Sequence, residues 1–203
     1  MAKNKTNWNT LIALLAIVVI AAIGLLTSFV PKTSGAAEGL VNFTISGALS
    51  ITLPNSIVDF GTGYVTPGNT YAILDSNSTL PTGWTSTANG VDDWPSNTDY
   101  IVVENNGNVN ANVTIKAEKT ANDFIGGTNP AQWYAAMNNE DSSCTSNLQS
   151  DYADLTTSET NLCENLGYAD SADTLNVMFK LRVPSDASPA AKSNTITFTA
   201  YQV

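Results

Sequence analysis

From residue 41 onward the chain is dominated by apolar and polar residues in strict alternation, the period of a β-strand, and this pattern most limits what it can build. In "GLVNFTISGALSITL" (39–53), Val41, Phe43, Ile45, Leu49, Ile51 and Leu53 form one row, and Asn42, Thr44, Ser46, Ser50 and Thr52 the other. Such a strand has one face to bury and must pack against a second layer. Gly47 interrupts the apolar row and predicts a bulge or bend, and Pro54 ends the strand.

The same reading predicts strands at Ser56–Gly61, Thr70–Asp75 and Asp99–Asn105, bounded by "VTPGN" and "LPTGWTSTANGVDDWPSN". After "NNGN" (Asn105–Asn108), Val109, Ala111, Val113, Ile115 and Ala117 alternate with polar residues, which predicts a hairpin with the preceding strand. The pattern lapses from about 120 to 174. There "PAQWYAAMNN" reads as a short helix opened by Pro130, and the whole stretch reads as an insertion holding both cysteines. Alternation returns in Leu175, Val177, Phe179, Leu181 and Val183, then in Ile196, Phe198 and Ala200. Seven or so short strands with turn signals, and no helices between them, predict an all-β antiparallel sandwich of two sheets, immunoglobulin-like or jelly-roll-like.

Leu11 to Val30 is an uncharged run of 20 residues. At about 1.5 Å per residue it can cross the roughly 30 Å hydrocarbon core. Lys3 and Lys5 precede it, which places residues 1–10 in the cytoplasm and the chain beyond the linker 31–39 outside, as one domain over 40–203. "TSGAAEG" (Thr33–Gly39) offers a signal-peptidase site after Ala36 or Ala37, so 11–30 is either a removed signal or a membrane anchor. "TNWNT" (Thr6–Thr10) lacks the basic residue and glycine of a prepilin site. Cys144 and Cys163, the only cysteines, both fall in the exported part and read as a disulfide. The expected location is extracellular or at the cell surface.

Hydrophobic residues make up 43% of the chain, enough for a core, while only 13% are charged, so Asn, Ser and Thr must fill the surface. A net charge of -10 argues against a nucleic-acid partner. The absence of histidine removes the commonest general base and metal ligand, and no G-x-S-x-G elbow activates a serine. The chain therefore reads as non-enzymatic, without a cofactor. Asp123, Glu140, Asp141, Asp151, Asp154, Glu159, Glu164, Asp170 and Asp173 crowd a stretch without lysine or arginine; calcium held by these carboxylates is the alternative reading, but no repeated D-x-D spacing marks a calcium loop, and a solvated acidic face is the preferred one. Trp84 and Trp94, with Asp92 and Asp93 beside Trp94, are candidate sugar-stacking aromatics, the basis of an alternative reading as an adhesion or carbohydrate-binding module with a surface glycan as partner. A secreted hydrolase using two of the acids is the remaining alternative. Asn42, Asn77 and Asn112 open N-glycosylation sequons.

"FGTGYVTPGNT" (60–70), "IVVENNGNVNANVTI" (101–115) and "LRVPSDASPAAKSNTITFTA" (181–200) together resemble secreted β-sandwich proteins of archaeal cell surfaces. More distantly they resemble the TasA/camelysin group of extracellular fibre proteins and its archaeal bundling-pilus relatives. The resemblance implies a structural subunit that polymerises by lending its amino-terminal strand, residues 40–53, to the next copy. A retained anchor would confine that exchange to the base of a filament.

Overall fold

A computed structural model describes residues 43–88, 98–140 and 142–203. Leu11–Val30, Asn42, Asp92, Asp93, Trp94 and Asp141 lie outside them. The chain divides into two compact units, 1–44 and 45–203, and only Phe43 and Thr44 of the first are described.

The second unit holds β1 (Ile51–Thr52), β2 (Thr62–Val65), β3 (Tyr71–Asp75), β4 (Trp84–Ala88), β5 (Ile101–Asn105), β6 (Ala111–Ala117), α1 (Ala121–Phe124), β7 (Ala131–Asn138), β8 (Ala153–Asp154), β9 (Thr160–Leu166), β10 (Thr174–Pro184) and β11 (Ile196–Gln202). Every strand pair is antiparallel. One sheet runs β1-β5-β10-β7-β8, with β3 pairing the far half of β10; a second runs β11-β6-β9; β2 and β4 form a ribbon. The long strand β10 organises the first sheet because Leu175, Val177, Phe179 and Leu181 recur at period two and are buried. Leu175, Val177 and Phe179 meet Val113, Ile115 and Ala117 of β6 and Leu162 and Leu166 of β9 in a shared core, the packing of a sandwich-like all-β fold, while Leu181 packs with Leu74 and Ile125 in a second, smaller cluster.

Several expectations are corrected. The segment 131–138 is not a helix but a strand in the interior of the first sheet, paired residue for residue with β10 from Ala131 to Asn138. Tyr134, Ala135 and Ala136 are all buried, so both faces are covered and the alternation that would reveal a strand is erased. For the same reason the stretch 120–174 is not an insertion: it supplies β7, β8 and β9 to the two sheets. Residues 101–117 do not form a hairpin, because β5 belongs to one sheet and β6 to the other. Asn105 turns the chain between them. Its fully buried amide donates to Val109 O (2.9 Å) and Gly167 O (2.8 Å) and accepts from Gly107 N (3.1 Å), satisfying backbone groups that a ladder would otherwise satisfy. Ser56–Gly61 carries no strand, and within 43–53 only Ile51–Thr52 joins a sheet.

Candidate functional site

Sheet edges decide what a β-protein can join, since an unpaired strand presents a row of backbone donors and acceptors. The first sheet ends in β1 and β8, two residues each, and in the five-residue β3, whose outer side is bridged to Thr82 at Ile73. In the second, the outer side of β9 is covered by the preceding segment through Thr145 N to Asn165 O (3.0 Å), Glu164 N to Ser146 O (3.0 Å) and Gln149 N to Leu162 O (2.9 Å). The Cys144–Cys163 disulfide staples that cover in place. Strand β11 is different: it has seven residues, and among the described residues no strand pairs with its outer side.

The register says which groups stand open. Glu118 N donates to Thr195 O (2.8 Å) and Val203 N to Asn110 O (3.2 Å). By alternation Thr197, Thr199 and Tyr201 direct their backbone groups to β6, and Ile196, Phe198, Ala200 and Gln202 direct theirs outward. The side chains of Ile196, Phe198 and Ala200 pack against the core yet stay only partly buried.

Beside the start of β11 lies a cleft of about 1240 Å³. Leu74, Phe179 and Leu181 contribute apolar surface, and the stretches 56–65, which runs into β2, and 187–196, which runs into β11, line it. The second stretch is clipped at its root. The Asp186 carboxylate accepts from Thr128 N (2.9 Å) and Thr128 Oγ1 (2.7 Å), and these bonds hold its pKa below the ordinary aspartate value. Gly127, at φ +80°, makes the clip fit: a Cβ there would come within 2.6 Å of Asp186 Oδ1. At its other end Asn194 accepts from Lys119 N (2.9 Å) and donates to Gln132 Oε1 (3.0 Å).

The alternating stretch ahead of β1 has partners only at its downstream end. Asn108 N donates to Ala48 O (2.9 Å), and Asn108 Nδ2 to Ser46 O (3.1 Å). Upstream, Ile45 at the start of the second unit is 76% exposed, and Phe43 of the first 80%.

The residues singled out from the sequence do not converge on one place. Trp84 is half-buried; its ring lies on Gly63, where a Cβ would fall 2.6 Å from Cε2 and Nε1, and Nε1 is enclosed without a hydrogen-bond partner among the described residues. Asn77 sits exposed in a turn, its Oδ1 accepting from Tyr100 Oη (2.9 Å). Asn112 is half-buried on the middle strand of its sheet, with Oδ1 enclosed. The acids are dispersed into separate contacts: Glu140 accepts from Asp173 N (3.0 Å), and Glu159 pairs with Lys116 (3.2 Å). Among the described residues no group of three His, Cys, Asp or Glu side chains is placed to hold a metal ion, and no helix is long and apolar enough to cross a membrane. The open edge of β11 went unnoticed in the sequence; its alternation was legible, its lack of a neighbour was not. Comparison of the chain with models of protein families, with curated proteins and with solved structures returned no match.

Proposed function

We propose that this is a non-enzymatic structural protein of the cell envelope, exported by its Leu11–Val30 segment, whose immunoglobulin-like domain joins its neighbours by strand exchange. The apolar row Val41, Phe43 and Ile45 of one copy pairs along the outer side of β11 in the next, with side chains directed into the cleft beside it. The observation that carries this reading is the seven-residue edge of β11, which no strand pairs among the described residues and which lies beside a cleft, while the opposite edge of its sheet, β9, is covered and stapled. Covering Phe43 and Ile45 would contribute about 1.5–3 kcal/mol each, and each new backbone hydrogen bond about 0.5–1.5 kcal/mol. The segment downstream of Ser46 stays with its own subunit, bound at Ala48 and in β1, so the lent strand is shorter than 40–53. A second copy is therefore the expected partner, as the resemblance to extracellular fibre proteins implies. Removal of 11–30 frees the strand; a retained anchor confines exchange to a filament base.

Ala200→Pro tests this directly. Proline deletes an outward N–H on β11 without removing a bond to β6, a substitution tolerated at an edge. Full-length protein recovered from its native envelope is expected to sediment as filaments visible by electron microscopy. Ala200→Pro and Phe43→Asp should remain as single subunits with unchanged far-UV circular dichroism. Filaments of equal length in wild type and Ala200→Pro would refute strand exchange at this edge.

A further inference from the structure

Five cationic side chains lie in the described residues, and four are engaged. Lys116 pairs with Glu159 (3.2 Å) and Lys180 with Asp75 (2.9 Å). Lys119 Nζ donates to Ser193 O (2.9 Å) and Lys192 Nζ to Ser188 Oγ (3.1 Å). Arg182, the only arginine of the chain, has no carboxylate and no hydrogen-bond acceptor among the described residues. Its guanidinium carbon rests 4.3 Å from the centre of the Tyr71 ring, a ring that stays 40% exposed. Nε is enclosed and unpartnered, so the two terminal nitrogens carry the N–H groups left to meet an acceptor from outside.

The surroundings are equally specific. Arg182 alternates with the buried Leu181 and so lies on the sheet face opposite the core. In register with it stand Ile73 on β3 and Ala131 on β7; one pair along, Trp133 stands beside Lys180, whose Nζ lies 3.7 Å over the Tyr152 ring. Ala131, in register with Arg182, is small and half-buried. Both β10 and β7 are interior strands with their ladders already satisfied, so a peptide cannot be added here as a strand.

We propose that this face binds the carboxylated sugars of an acidic polysaccharide. A guanidinium is a planar fork that fits a carboxylate through two parallel N–H bonds, and its stacking on Tyr71 holds the fork in place beforehand. Exposed aromatic faces take the apolar side of a pyranose ring. In a chain of net charge -10, a guanidinium with neither a carboxylate nor a hydrogen-bond acceptor among the described residues marks where an anion can approach. This site owes nothing to Trp84 or to the cleft, and it does not depend on strand exchange.

The test is affinity electrophoresis of the full-length protein through gels containing polygalacturonate, or dextran as a neutral control. Wild type is expected to be retarded by polygalacturonate alone, less so as salt rises. Arg182→Gln should weaken the interaction at least about tenfold and Arg182→Lys several-fold, since lysine keeps the charge but not the fork. Tyr71→Leu should weaken it while leaving the melting temperature close to wild type, and Lys192→Gln should change nothing. No retardation of wild type, equal retardation of Arg182→Gln, or an equal loss in Lys192→Gln would each overturn the proposal. Self-association abolished by Arg182→Gln, without retardation by polygalacturonate, would assign the face to a second copy and overturn it as well.

Discussion

Replacing Asn105 by alanine probes the place where the chain leaves one sheet for the other. The side chain is fully buried and makes hydrogen bonds of 2.9 Å to Val109 O, 2.8 Å to Gly167 O and 3.1 Å from Gly107 N, with a longer fourth contact of 3.4 Å to Leu166 O. Each good bond contributes about 1 kcal/mol net, and buried carbonyls left without a donor add to the loss, so the expected cost is about 3–4 kcal/mol. The neighbouring loop has little room to adjust, because a Cβ at Gly107 would come within 2.4 Å of Ala48 O. In a domain of this size that cost lowers the melting temperature by roughly 6–15 °C. Urea unfolding at pH 7, followed by far-UV circular dichroism, measures it, with Asn106→Ala as control. Asn106 is exposed, bonded to Thr52 and Glu104, and its loss should cost under about 0.5 kcal/mol. Asn105→Asp should cost more than alanine at pH 7, because a carboxylate would face two carbonyl oxygens, and should recover partly in acid. An Asn105→Ala variant within about 1 kcal/mol of wild type, or an equal cost for Asn106→Ala, would refute the assignment of Asn105 as the sheet-crossing lock.

Reduction of the Cys144–Cys163 bond, which closes a loop of sequence separation 19, should cost about 3 kcal/mol in the chain-entropy view and speed hydrogen exchange at Gln149 and Glu164, whose amides hold the cover of β9. Glu159 has its carboxyl pKa lowered first by the Tyr201 hydroxyl and then by Lys116; its contribution is therefore present above the ordinary glutamate pKa and lost as pH falls through the folded value. Glu159→Gln should accordingly flatten the acid limb of a stability-versus-pH curve. Tyr152 is pushed far above an ordinary tyrosine by burial, then by its hydrogen bond to Asp75, so its contribution is present below pH about 10 and fades as pH rises further; Tyr152→Phe should soften the alkaline loss seen in thermal melts. Gly127→Ala, which forces a side chain into positive φ against Asp186, should cost about 1–3 kcal/mol, read as a lower urea midpoint.

Strands β3, β5, β6, β10 and β11 were all legible as alternation, because side chains on a strand face opposite ways whatever the partner. Leu175, Val177, Phe179 and Leu181 could be assigned to the core from spacing alone, and the disulfide from there being two cysteines in a chain read as exported. Strand β7 was hidden because an interior strand covered on both faces loses the period that would betray it, and alanine, glutamine and methionine then read as a helix. The turn after β5 was legible as a turn, but not as a passage between sheets, since that depends on Gly167 arriving from 62 residues away to receive the Asn105 amide. Among the described residues, the open edge of β11, the cleft beside it and the lack of a partner for Arg182 were decided only by tertiary structure. Alternation is a property of neighbours along the chain, whereas an edge or an uncompensated charge is defined by which distant segments arrive and which do not.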